Sequence, residues 1–173
     1  MRKLIVLCLI GLAVAACSSI DCPINNNVRV TYALMKANGK PDTLNKDTMW
    51  VWTKRNDGTD TVISHQTQGS LELNYFFGTS ASSFDLPISH TQPEDVLYVL
   101  VRNTAGTNYR DTVCIKKESF PHFESVDCQA SYFHTITAAS TTHHIIDSIV
   151  INNPHVNYEP NITHFKLYLK TLR

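Results

Sequence analysis

Histidine, aspartate and hydroxyl side chains concentrate in residues 134–147, which read "HTITAASTTHHIID". Imidazole nitrogens and carboxylate oxygens are common zinc ligands. If the β-patterned segments on either side of residues 138–141 form a hairpin, His143 and Asp147 become diagonal neighbours of His134 on one face. Such neighbours lie about 7–8 Å apart, so a shared zinc ion would require a stretched site. The pattern therefore raises a metal-binding protein as one alternative.

The same letters also fit an ordinary strand. Neighbouring strand residues point to opposite faces, so His143 and His144 cannot serve one regular site. No HxH or HExxH pattern defines a ligand set. We therefore predict no metal and no cofactor, and we expect His134 or His143 to be a hydrogen-bonded residue of the core or its rim.

Other catalytic patterns are also missing from the sequence. It has no GxSxG motif and no phosphate-binding glycine loop, and neither Cys114 nor Cys128 has a recognisable histidine partner. We predict that the protein is not an enzyme. Trp50 and Trp52 alternate in "TMWVWTK"; we expect them in the core, because large aromatic side chains dominate interiors, with a sugar-binding platform as the weaker alternative.

The N-terminus has the layout of an export signal. Arg2 and Lys3 precede an apolar run that ends in small residues before Cys17. The sequence "VAAC" at positions 14–17 resembles the bacterial lipobox, which implies cleavage before Cys17 and attachment of lipid to its sulfur. We therefore assign residues 1–16 to a lipoprotein signal peptide, residues 17–27 to a lipidated tether and residues 28–173 to a folded domain.

Location and charge narrow the range of partners. The residue after Cys17 is serine rather than aspartate, so the inner-membrane retention signal is absent and we predict lipid anchoring to the outer membrane. Cleavage removes two of the 15 basic side chains and none of the 15 acidic ones, which leaves a formal net charge of −2. That balance and the export signal argue against a nucleic-acid partner.

Short alternating apolar segments dominate the rest of the chain. "VRVTYALMK" places Val28, Val30, Tyr32 and Leu34 on one face, and "DVLYVLVR" is apolar on both faces, as in a central strand. Apolar residues do not recur at helical spacing. Eight or nine strands separated by turn signals predict an all-β fold, a single β-sandwich that is immunoglobulin-like in the broad sense.

Three cysteines remain for a disulfide once Cys8 leaves with the signal peptide and Cys17 carries lipid. An oxidising envelope compartment makes one bridge expected among Cys22, Cys114 and Cys128. Cys114–Cys128 would close a short loop, whereas Cys22–Cys128 would attach the tether to the domain. Spacing alone leaves the pairing open.

Several stretches of the chain resemble an uncharacterised family of Bacteroidetes lipoproteins: "DCPINNNV", "SSFDLPIS", "PHFESVDC", "FHTIT" and "THHIIDSIVINNPHVNYE". The resemblance covers most of the mature chain and is densest from Pro121 to Glu159. It implies a Cys22–Cys128 disulfide with Cys114 outside it. It implies no activity and no ligand.

Function is therefore predicted only in outline, as a lipid-anchored binding or assembly module whose partner is an envelope protein or a glycan. A structural envelope lipoprotein without a ligand is the second alternative, and the metal-binding protein is the third. Five triplets with aspartate, a hydroxyl residue and an apolar residue also resemble the O-glycosylation motif of Bacteroidetes envelope proteins, among them Asp111-Thr112-Val113 and Asp147-Ser148-Ile149.

Overall fold

Eleven β-strands account for the regular structure of residues 22, 28–44, 47–54, 60–62, 75–77, 82–159 and 161–170, which a computed structural model describes. In chain order they are β1 (Arg29–Met35), β2 (Thr48–Lys54), β3 (Asp60–Val62), β4 (Tyr75–Phe77), β5 (Ser83–Pro87), β6 (Glu94–Arg102), β7 (Asn108–His122), β8 (Ser131–Thr141), β9 (Ile146–Ile151), β10 (His155–Val156) and β11 (Phe165–Leu169). Within these ranges no helix is long and apolar enough to cross a membrane.

The strands form two packed sheets. One has the order β5-β1-β11-β9, and the other has the order β10-β8-β7-β6-β2-β3, with β4 also paired to β2. β1 and β11 pair in parallel, and the other described pairs are antiparallel. Eight of the described strands have five or more residues. The predicted all-β sandwich is confirmed, and β6 is an interior strand as its sequence predicts.

The core lies between the two sheets. β1 alternates as predicted and buries Val30, Tyr32 and Leu34. The ring of Tyr32 stacks between Phe84 of β5 and Phe165 of β11, with centroid distances of 5.0 and 5.1 Å. Because β5 and β11 both flank β1, this aromatic stack joins three neighbouring strands of the smaller sheet.

The prediction that the two tryptophans belong to the core is wrong. β2 buries Met49 and Val51, so Trp50 and Trp52 lie on the opposite, outer face and are half-buried. Trp52 stacks on Tyr98 of the adjacent β6, with 5.8 Å between the ring centroids. Both faces of "TMWVWTK" are apolar, so alternation alone does not tell which face points inward.

The hairpin around residues 138–141, on which a shared zinc site would depend, does not form. β8 pairs with β7 and β10, whereas β9 pairs with β11 in the other sheet. Residues 142–145 therefore cross from one sheet to the other, and His143 adopts a left-handed backbone with a φ of 62°. Period-two alternation identifies a strand but not its partner.

A bulge in β8 decides which of its side chains reach the core. Two consecutive residues of β7 pair with Ala138 and Ile136, so Thr137 is skipped in the register. Ile136 and His134 are buried before the bulge, and Thr141 is buried after it. The extra residue shifts the inward set from even to odd positions along β8, and His134 is one of the even residues that lie inside the sandwich.

Candidate functional site

The three residues that would form a metal site do not come together. His134 points into the core from β8 and is 2% exposed. His143 is exposed in the crossover, where its Nδ1 lies 2.7 Å from the backbone oxygen of Asp147, and the side chain of Asp147 is exposed on β9. Among the described residues, no three histidine, cysteine, aspartate or glutamate side chains are arranged to hold a metal ion.

His134 instead pairs with a serine. Its Nδ1 lies 2.9 Å from Oγ of Ser119 on β7, a distance typical of a serine nucleophile and its histidine base. The charges around the pair oppose that chemistry. Burial, followed by the charges of Lys117 and His90, lowers the pKa of His134 to about 4, so the imidazolium that a general base must form is disfavoured. A catalytic triad supplies a carboxylate at this place, to stabilise that cation.

A buried ion pair lies beside this histidine. The side chain of Lys117 is fully buried, and its Nζ lies 2.9 Å from Asp95 Oδ2 and 2.9 Å from the backbone oxygen of Gln92. Burial, and then the charge of Asp95, raise the pKa of the Tyr32 phenol well above its usual range. Each charged group in this cluster is therefore paired inside the sandwich, as burial of charge requires.

Asp111 is the chemically notable residue that the sequence patterns did not reveal. It is 3% exposed, and its carboxylate accepts hydrogen bonds from the crossover between the sheets. Oδ1 accepts from the hydroxyl of Thr142 at 2.5 Å and from the amide of His144 at 2.8 Å. Oδ2 accepts from the amides of Ile145 and Ile146, both at 2.7 Å.

These contacts decide the charge of Asp111. Burial alone would raise the pKa of its carboxyl, but the hydrogen bonds from the Ile146 amide, the Thr142 hydroxyl and the neighbouring amides outweigh burial and lower it. The carboxylate is committed to the crossover, so the Asp111-Thr112-Val113 triplet does not present its aspartate at the surface. The one sequence pattern that could have singled out Asp111 is its inward position in an alternating strand, two residues before the inward-facing Val113.

A polar groove of about 670 Å³ borders strands β1 and β5 of the smaller sheet. β1 and β5 form one wall, and the residues that connect β10 to β11 form the other. Its polar lining includes Thr31, Ser83, Asp85, Asn157, Asn161 and Thr163, and Tyr158 also lines it. Nη2 of Arg29 donates to the backbone oxygen of Asp85 at 2.9 Å, and its Nε also bonds the Asp85 carboxylate. We call this site the β1–β5 groove.

The β1–β5 groove is suited to binding rather than to proton transfer. Its one histidine, His164, accepts a hydrogen bond at Nδ1 from the amide of Thr31 at 3.0 Å. Burial lowers the pKa of His164, opposed by a hydrogen bond to the backbone of His155. The imidazole is therefore held neutral between two backbone partners. Hydroxyl, amide and carboxylate groups line the opening, and they offer donors and acceptors to a polar ligand.

The disulfide of the described chain joins Cys22 to Cys128, the pairing that the family resemblance implied, with 5.5 Å between the Cα atoms. Cys128 lies in the loop between β7, which ends at His122, and β8, which begins at Ser131. Cys114 is free and half-buried. Burial, followed by the charge of Glu94, raises the pKa of its thiol, which disfavours the reactive thiolate.

An all-β sandwich with a disulfide to its N-terminal segment and a polar surface groove is thus the class of protein that the fold defines. The chain belongs to DUF6452, a family of unknown function, whose family model matches residues 48–169. Comparison with curated proteins and with solved structures found no match.

Proposed function

We propose that the protein is a lipoprotein of the bacterial outer membrane, in which lipid on Cys17 holds a β-sandwich that acts as a binding or assembly module. The observation that carries the proposal is the Cys22–Cys128 disulfide. Structural disulfides persist in oxidising compartments outside the cytoplasm, which agrees with the export signal and lipobox at residues 1–17. The resemblance to Bacteroidetes lipoproteins supports the same placement.

Lipid attachment is tested by growing cells of the native host with labelled palmitate. The label is expected on the mature protein and is expected to be lost in Cys17→Ala, because that substitution removes the acylated sulfur. Cys114→Ala is the matched control and keeps the label. A wild-type chain without label, or a Cys17→Ala chain that keeps it, would overturn the anchor.

The β1–β5 groove supports binding as the role of the anchored domain. Side-chain hydroxyls and amides beside Tyr158 suit a glycan or a polar segment of another envelope protein, since such ligands need several donors and acceptors with one aromatic contact. A structural lipoprotein without a ligand would not require this arrangement. We expect no nucleic-acid partner, because the mature chain carries more acidic than basic side chains.

Binding is tested by crosslinking in native cells, followed by mass spectrometry. Ser83 is exposed at the groove, so Ser83→Tyr places a bulky ring there without a packing cost. We expect this variant to lose the dominant crosslinked partner, whether protein or glycan. Ser140→Tyr, at an exposed position of β8, is the control. Equal crosslinking of both variants would show that the groove is not the binding site.

A further inference from the structure

The loop between β7 and β8 exposes apolar side chains where the chain is tied to its N-terminal segment. Val126 is 97% exposed, Phe123 is 62% exposed and Phe120, near the end of β7, is 48% exposed. Cys128 in the same loop forms the disulfide with Cys22. Single exposed apolar residues are common on protein surfaces, but here three are concentrated within residues 120–126, at one strand end and its loop. We call residues 120–128 the β7–β8 tip.

The length of chain between the lipid site and the disulfide limits where this tip can lie. Cys17 precedes Cys22 by five residues, which span at most about 18 Å when fully extended. The disulfide adds 5.5 Å between Cα atoms. When lipid holds Cys17 at the bilayer surface, the tip is therefore confined to the region of the lipid headgroups and the water next to them.

We propose that the β7–β8 tip docks on the same lipid surface that holds Cys17, with Phe123 and Val126 inserted at the boundary between headgroups and acyl chains. The proposal rests on the lipid anchor proposed above. Aromatic and aliphatic side chains partition to this boundary, and short tethering removes most of the entropic cost of bringing them there. In this orientation the β7–β8 tip is the part of the sandwich that contacts the membrane.

The charges of the tip indicate which lipid it prefers. Glu124 and Asp127 are exposed between and beside the apolar residues. Basic segments are attracted to anionic lipid, but these acidic side chains are repelled by it. The β7–β8 tip is therefore suited to a zwitterionic lipid surface.

Tryptophan substitution reports the depth of the tip directly. The lipidated mature protein, which begins at Cys17, is reconstituted in vesicles of brominated phosphatidylcholine, and tryptophan emission is compared with that in unbrominated vesicles. Val126→Trp places an indole at the tip, and Ala105→Trp places the same indole in the exposed turn before β7, at the opposite end of that strand. β7 has 15 residues, so the two sites are roughly 45 Å apart.

After the emission of unsubstituted protein is subtracted, bromine is expected to quench about half of the Val126→Trp emission and almost none of the Ala105→Trp emission. Adding Phe123→Ser to Val126→Trp is expected to reduce the quenching, because one of the two inserted side chains is lost. Equal emission of Val126→Trp in both kinds of vesicle, or equal quenching of the two tryptophan variants, would overturn the docking.

Failure of the anchor is distinguished by intact-mass measurement on the same preparation. Protein that carries acyl chains but shows no quenching at Val126→Trp contradicts docking and leaves the anchor standing. Protein without acyl chains contradicts both proposals.

Discussion

His134 makes the stability of the protein depend on pH. Burial, with Lys117 and His90, lowers its pKa from 6.5 to about 4 in the folded state. As pH falls below about 6.5, His134 becomes protonated in the unfolded chain, whereas in the folded chain it stays neutral until about pH 4. The free energy of unfolding therefore decreases as pH falls from about 6.5 to about 4. At about pH 4 the free energy of unfolding should be about 3 kcal/mol lower than at neutral pH because of this one histidine.

Urea unfolding at pH 7.5 and pH 4.5 measures this effect. In His134→Asn, which retains a side chain able to bond Ser119, the difference between the two pH values should shrink by most of that amount. His143→Asn is the matched control, because it replaces an exposed histidine at a left-handed position that asparagine tolerates. A His134→Asn variant with the same pH dependence as the wild type would contradict the assignment.

At the scale of the element, Asp111 connects strand β7 to the crossover that joins the two sheets. Asparagine at this position would direct an amide NH₂ toward the backbone donors of Ile145 and Ile146, leaving a buried donor unsatisfied. Asp111→Asn is therefore expected to lower the free energy of unfolding by about 3 kcal/mol or more. Denaturant unfolding measures the loss, and hydrogen exchange should show faster exchange at those two amides.

A control variant and the pH dependence of stability both test the role of Asp111. Asp147→Asn changes an exposed aspartate a few residues away and should stay within about 0.5 kcal/mol of the wild type. The lowered folded-state pKa of Asp111 also means that its contribution is present above the unfolded carboxyl pKa and is lost as pH falls through the folded one. If Asp111→Asn and Asp147→Asn unfold at the same urea concentration, Asp111 does not hold the crossover.

The elements show how far the sequence determines this fold in advance. Local alternation correctly predicted β1 and the interior strand β6, because burial on one face or both follows directly from residue type. It did not predict the partner of β9, which lies in the other sheet and is selected by long-range packing. The expectation that His134 is a hydrogen-bonded core residue is confirmed, but alternation did not predict the one-residue bulge at Thr137.

At the scale of the whole molecule, local sequence patterns could not predict the β1–β5 groove or test the metal-binding alternative, because both depend on contacts between distant segments. Thr31 and His164 come into contact because β1 pairs in parallel with β11, and no local sequence pattern predicts that pairing. The separation of His134 from His143 likewise follows from the crossover between sheets. By contrast, the Cys22–Cys128 pairing was implied by resemblance to a family, because spacing alone left it open.

The same disulfide yields the prediction that belongs to the entire chain. Its two cysteines are 106 residues apart, so in the unfolded state the bond closes a loop that includes residues 28–128 of the domain. In the chain-entropy model a loop of that size contributes about 4–5 kcal/mol. Urea unfolding of the mature chain should show a loss of this size in the double variant Cys22→Ala/Cys128→Ala, whereas Cys114→Ala, which removes a free thiol, should lose about 1 kcal/mol or less. If the double variant unfolds at the urea concentration of Cys114→Ala, the bond stabilises only the attachment of the N-terminal segment.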